Sequence, residues 1–326
     1  FKYANQLKKK IKKNKFSILE IGCNDGILLK NFKKNDHMGI EPSDNVCKIA
    51  KKKGLNVINK FFNRNLLKEN LVRKNFDIIC GANVFCHIPD LHEMFFTLSK
   101  FLKKGGIIAI EEPYLGDMIK KTSYDQIYDE HIYIFSITSI NLIASFFNLE
   151  VFDAEHQQTH GGSMRYYLSQ RNQRKVTHRL KSLIKNEKRL GLDSISKLKK
   201  FKKKCQDSRT KLKSKINKIS KKYDIYGYGA TSKSTTILNF CKIDAKIIKG
   251  IFDTSHTKIG KFTPITHIPI LDYKKKFKKI RPKICILFAW NHSAEICKKE
   301  KFSLNNGMRF ISHIDKKFLS YEKFFI

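Results

Sequence analysis

The sequence predicts an α/β protein with two doubly wound parallel sheets joined by a helical linker. Three observations predict it. Short apolar runs alternate with helix-like segments from residue 16 to 112. A lysine-rich, glycine-poor stretch follows from about 172 to 222. The strand–glycine pattern then restarts at "YDIYGYGATSK". At 326 residues the chain is long enough for two cores, since domains usually run to ~100–200 residues. Its 41% hydrophobic and 12% aromatic content fits a globular chain.

Taken in order, "FSILEIGCNDGILL" reads as a buried strand, a glycine turn and a helix start. "MGIEPS" is a second strand ending in an acid, "LNVINKFF" a third, "FDIICGANVF" a fourth and "GGIIAIEEP" a fifth. Residues 114 to 170 are less regular and contain "SYDQIYDEHIYIF" and "HGGSMRYYL". Ile195, Leu198, Phe201, Cys205, Leu212, Ile216 and Ile219 form one apolar stripe, spaced as on a long helix with lysines opposite. "YDIYGYGATSKSTTILNF", "IKGIFDTS" and "ICILFAW" build a second, smaller α/β unit that shows no residue-level repeat of the first. The expected domains are therefore 1–170, a connecting helix region 171–222, and 223–326.

The net charge of +37 ordinarily suggests nucleic acid or an anionic membrane. Here ten arginines stand against 56 lysines, and the lysines are spread along the whole chain. Base and phosphate readers favour the forked guanidinium of arginine. We therefore expect a lysine-rich composition drift and no nucleic-acid partner, with a basic nucleic-acid-binding protein as the rival. The charge should still draw in an anionic, phosphorylated substrate. No apolar run approaches the ~20 residues that span a bilayer. The eight cysteines show neither CxxC pairs nor zinc-like spacing, so we expect buried thiols, a cytoplasmic protein and no metal site in this chain.

The turn "EIGCNDG" contains Glu20, Gly22, Asn24, Asp25 and Gly26. A strand running into a glycine turn lets backbone N–H groups approach a ligand closely. The spacing is not the dinucleotide fingerprint. It resembles motif I of class I S-adenosylmethionine methyltransferases, with Asn24 in place of the middle glycine. The amino-acid moiety of that cofactor suits carboxylates as well as N–H donors. Glu41, ending strand two, is the expected acceptor for its ribose hydroxyls, and Asn83 after strand four completes the cofactor set. A tight turn without a ligand is the competing reading.

"EIGCNDG", "GIEPS", "ANVFCHIPDL", "EEPYL", "YDQIYDEH", "HGGSMR", "GYGATSK", "HIPI" and "AWN" follow one another in this order. Together they resemble the C-methyltransferases of nucleotide-linked keto-deoxysugars in bacterial antibiotic and surface-polysaccharide pathways. The resemblance spans residues 16 to 292. It implies a class I methyltransferase domain and a second, smaller Rossmann-like α/β domain. It also implies a cysteine-rich, zinc-binding N-terminal domain that this sequence does not contain. As the chain begins at Phe1 rather than Met, we expect that it is truncated there. Zinc would belong only to the missing part.

By resemblance His131 is the general base, Tyr128 and Glu130 assist it, and His87 is a further active-site histidine. Asp129 replaces the first histidine of the family's "YHEH" segment. Methylating the carbon beside a ketone requires removing its proton, and an imidazole with a pKa near ~6.5 can do this at neutral pH. A neighbouring carboxylate favours the imidazolium, and Tyr128 or His87 can hold a developing enolate oxygen. The same groups would serve O-methylation, and another acceptor at oxygen or nitrogen stays open at this point. An acid-rich solvated turn is the competing reading, but Ile127, Ile132, Tyr133 and Phe135 lead us to expect that the segment sits against a core.

Gly162, Ser163 and Arg165 of "HGGSMR" suit a sugar diphosphate, against a plain bulge with a surface arginine. Tyr228 and Lys233 of "GYGATSK" complete the candidate substrate set, against a purely structural turn. The sequence therefore predicts an S-adenosylmethionine-dependent methyltransferase acting on a small-molecule nucleotide-sugar.

Overall fold

The computed structural model describes residues 2–69 and 75–326. The chain divides into two compact units. Phe1–Gly116, Ile132–Gln158 and Gly162–Asp193 form the first; Asp117–His131, Thr159–Gly161 and Ser194–Ile326 form the second.

The first unit is built on strands β1 (Ser17–Ile21), β2 (Asp36–Ile40), β3 (Val57–Ile58), β4 (Phe76–Ala82), β5 (Leu102–Pro113), β6 (Leu149–Gln157) and β7 (Ser163–Gln170). They lie in the order β3-β2-β1-β4-β5-β7-β6, and only β7 runs against its neighbours. Every residue of β1 is buried, as expected of a parallel strand covered on both faces. The five strands read from sequence are all present, although the third is short. The expected helix after the glycine turn is only a 3₁₀ turn at Leu29–Phe32.

β6 and β7 were not legible as strands. They form an antiparallel pair whose interior holds polar residues, with Asp153 and Arg165 both buried, so the apolar alternation is broken. Arg165 stands opposite Glu111 of β5 in the register, and its guanidinium donates to Glu111 and Gln6 beneath the Tyr3 ring. The arginine expected to meet a sugar diphosphate is instead a buried partner within the sheet.

The lysine-rich stretch forms two helices, His178–Leu190 and Ile195–Ser220, broken where Gly191 takes a left-handed conformation. On the longer helix Phe201, Cys205, Leu212 and Ile216 are buried, while Ile195 and Leu198 of the expected stripe are exposed. The division between units thus falls at Asp193/Ser194. The shorter helix stays with the first unit because Glu187, 2% exposed, organises a helix start there. It accepts the Tyr114 hydroxyl (2.9 Å), the backbone N–H groups of Ile137 (2.8 Å) and Thr138 (3.0 Å), and the Thr138 hydroxyl (2.8 Å).

In the second unit β8 (Ile225–Tyr228), β9 (Ile248–Asp253), β10 (Ile270–Asp272), β11 (Ile284–Leu287) and β12 (Arg309–Ile311) form a parallel sheet, ordered β10-β9-β8-β11-β12. Its core gathers Phe252, Phe277, Trp290, Leu304 and Phe310. The segment Asp117–His131 belongs to this unit because Tyr124 packs its ring 5.1 Å from Phe240 and 5.0 Å from His313. All eight cysteines are free and buried. No helix among the described residues is long and apolar enough to cross a membrane.

Removing the Glu187 carboxylate leaves several buried donors unpaired. Glu187→Ala is expected to lower unfolding free energy by about 2–4 kcal/mol. Urea denaturation measures this, and an unchanged midpoint would show that Glu187 does not organise this helix start.

Candidate active site

The glycine turn after β1 is held from the neighbouring strand. The Gly22 N–H donates to the Ile40 carbonyl (2.8 Å), and the Asn24 N–H donates to Glu41 Oε2 (2.9 Å). Glu41 Oε1 accepts the Ser43 N–H at 2.9 Å. Gly22 has φ +62°, and a Cβ there would lie 2.1 Å from Val84 Cγ2, so no side chain fits. Asn24 takes φ +50°, a value asparagine tolerates better than most residues.

Glu20 is 6% exposed, and its Oε2 is buried without a hydrogen-bond partner. Burial raises its pKa to about 8, and the nearby Asp25 and Glu41 charges add to the rise. A buried carboxyl with a spare oxygen fits a cofactor that brings an ammonium group. Glu41 has used two of its roughly four acceptor positions on backbone N–H groups, which leaves capacity for ribose hydroxyls. These residues therefore fit S-adenosylmethionine. Asp25 is more exposed and pairs with Lys53 at 2.7 Å.

Asn83, at φ +54°, follows β4 and donates its N–H to the Glu111 carbonyl at 2.8 Å. His87 ends the 3₁₀ turn Phe85–His87 and is partly exposed. This loop hangs on Glu112, fully buried at the end of β5, whose Oε1 accepts the Val84 (2.9 Å) and Phe85 (2.8 Å) N–H groups. Burial raises the Glu112 pKa. Sequence reasoning missed this role, although "EEP" at a strand end was the available signal.

In the second unit the acid-rich stretch is a tight turn with an ordered imidazole. His131 Nδ1 lies 2.9 Å from the Gln126 carbonyl, and Nε2 lies 2.7 Å from the Tyr128 hydroxyl. A carbonyl oxygen only accepts, so Nδ1 carries the proton and Nε2 presents a lone pair toward Tyr128. Glu130 and Asp129 are exposed beside them. Of the apolar residues expected to seat the segment on a core, Phe135 is buried, but Ile127 and Ile132 are about half exposed. The anchoring comes instead from Tyr124 and Asp125, which were not singled out.

The remaining candidates lie in varied settings. Ser163 is buried, and Gly162, at φ +129°, accepts the Tyr114 N–H on its carbonyl at 3.1 Å. Tyr228 is buried and donates its hydroxyl to Glu300 at 2.7 Å, a core contact. Lys233 sits 3.4 Å from the His160 carbonyl and 5.5 Å over the Trp290 ring, and its charge interacts with Asp125.

Residues 2–154 match the family model of a methyltransferase domain, and residues 158–314 match that of the C-methyltransferase C-terminal domain. The C-methyltransferase NovU of Streptomyces niveus is 27% identical over 299 residues, covering 90% of this chain and 71% of the relative. Among solved structures, an S-adenosylmethionine-dependent methyltransferase from Clostridium acetobutylicum ATCC 824 aligns with a TM-score of 0.42 and 14% identity over 52% of this chain and 90% of that one. The plantazolicin methyltransferase BpumL in complex with SAH aligns with a TM-score of 0.41 and 16% identity over 52% of this chain and 81% of that one. The first unit has the class I methyltransferase fold. The chain is a methyltransferase whose N-terminal part matches a methyltransferase domain and whose C-terminal part matches the C-methyltransferase C-terminal domain.

The raised Glu20 pKa makes a signed prediction. Folding favours the protonated form, so this group's contribution is fully present below its unfolded pKa of 4.5 and is lost as pH rises toward about 8. Glu20→Gln should remove that loss. Denaturation of the cofactor-free protein at pH 5 and pH 8 is expected to show a smaller stability drop for the variant. An equal drop in both would mean that Glu20 is not buried as a carboxyl.

Proposed function

We propose that the acceptor is a nucleotide-linked keto-deoxysugar, methylated on the carbon next to its ketone with His131 as the base. The observation that carries this reading is the imidazole fixed by the Gln126 carbonyl, with Nε2 turned to a tyrosine hydroxyl. When bound, S-adenosylmethionine supplies the electrophilic methyl group. Glu20, Gly22, Asn24, Gly26, Glu41 and Asn83 are the residues we assign to hold it, with Asp25 at the rim.

The chain's own residues handle the proton. His131 Nε2 takes the proton from the carbon beside the ketone, and the C–H electron pair becomes the enolate. The ketone oxygen gains negative charge, and the Tyr128 hydroxyl turns from Nε2 to donate to it, with His87 as a second donor. Glu130 favours the imidazolium that results. Lys233, whose ammonium meets the His160 carbonyl and the Trp290 ring and feels the Asp125 charge, is the cation we assign to the diphosphate. Gly162 and Ser163 stay candidates for the same ligand. Tyr228 and Arg165 do not, since each is committed to a buried acid.

The test is transfer of labelled methyl to a thymidine-diphosphate-linked keto-deoxysugar. His131→Asn is expected to slow transfer by roughly 10²–10⁴-fold, the usual weight of a general base. Titration should show its affinity for S-adenosylhomocysteine unchanged. Full activity in the variant would remove His131 from the mechanism.

A further inference from the structure

Asp125 lies in the short turn Tyr124–Gln126, is fully buried, and uses both carboxylate oxygens. Oδ2 accepts the indole N–H of Trp290 at 2.7 Å, and Oδ1 lies 3.0 Å from His313 Nε2. Trp290 follows β11, and His313 follows β12. Burial alone would raise the Asp125 pKa, but His313, Lys233 and the Trp290 N–H together bring it below the usual value. The Tyr124 and Trp290 rings close the space around His313 at 5.0 and 6.4 Å. The next residue is Gln126, whose carbonyl receives the Nδ1 proton of His131.

We propose that Asp125 is a positioning residue for the base: clamped by Trp290 and His313, it fixes the Gln126 carbonyl that sets the tautomer and direction of His131. The proposal rests on the reading of His131 as the base. A neutral imidazole offers one lone pair, and the partner of the other nitrogen decides which. A free turn would let the ring exchange tautomers, presenting a proton at Nε2 for part of the time. The second sheet, through the residues after β11 and β12, thereby becomes part of the catalytic apparatus without touching substrate.

Two variants test this in the full chain. Trp290→Phe keeps an aromatic ring in the core but removes the N–H donor together with the outer indole edge that faces Gly161. Asp125→Asn keeps the shape but offers one acceptor and one donor to two donors. With ¹⁵N-labelled histidine, the unsubstituted protein should show His131 protonated at Nδ1 alone. Both variants should show two exchanging tautomers while binding S-adenosylhomocysteine normally. Their turnover of a thymidine-diphosphate-linked keto-deoxysugar should fall about 10–100-fold in kcat with little change in KM.

A single Nδ1 tautomer and normal kcat in Trp290→Phe would overturn the proposal, and that variant decides alone should Asp125→Asn fail to fold. His131→Asn separates the two readings. Full activity in it sinks the base itself, whereas loss of activity beside an unperturbed Trp290→Phe sinks only the positioning role.

Discussion

A carboxylate at the end of the second strand holds the turn after the first, and it does so in both sheets. Glu41 accepts the Asn24 N–H of the turn and the Ser43 N–H two residues beyond itself. Asp253 accepts the Ala230 N–H (2.7 Å) and the Ser255 N–H (2.8 Å) in the same way. Each glycine that opens the turn donates to the last carbonyl or next-to-last carbonyl of that strand, Gly22 to Ile40 and Gly229 to Phe252. A turn packed among parallel strands cannot leave its N–H groups unpaired. The acid fixes the register at which the strands end, and the carboxyl edge of each sheet is built from there.

The order β3-β2-β1-β4-β5 in the first sheet recurs as β10-β9-β8-β11-β12 in the second. The copies differ at one informative place. Two residues before the turn glycine the first unit has the buried acid Glu20, and the second has Gly227, packed against Ile251 and Phe288. Ala230 also has its carbonyl occupied by Lys258. The second sheet thus keeps the scaffold of the turn without the carboxyl that suits an ammonium ligand. What it does hold is the segment Asp117–His131, through Tyr124 and Asp125.

Legibility in the sequence followed contact range. Continuous apolar runs ending in glycine gave the parallel strands, because burial on both faces requires such runs. β6 and β7 escaped because Asp153 and Arg165 sit where apolar residues would have marked them. The turn at Gly22 was legible because turn chemistry acts over a few residues. Asp125 was not, because Trp290 and His313 are 165 and 188 positions away. Arg165 was misjudged for a similar reason, since glycines beside it suggested a loop while its acid, Glu111, lay on another strand.

With 66 basic residues against 29 acidic ones, most buried carboxylates find a cation or a cluster of donors. Asp77 pairs with Lys13 and Lys103, and Asp153 with Lys10 and Arg179. Burial would raise both pKa values, but these partners bring both below the usual carboxylate range. Ion pairing offsets desolvation where a cation is at hand. Glu20 goes the other way, although the chain around it is rich in lysine. Its neighbours within reach are Asp25 and Glu41, and one oxygen has no partner. Glu112 shares the raised pKa and an unpartnered Oε2, but its other oxygen is spent on the Val84 and Phe85 N–H groups. A positively charged ligand would suit the spare oxygen of Glu20, and that is the physical reason we assign the turn after β1 to the cofactor.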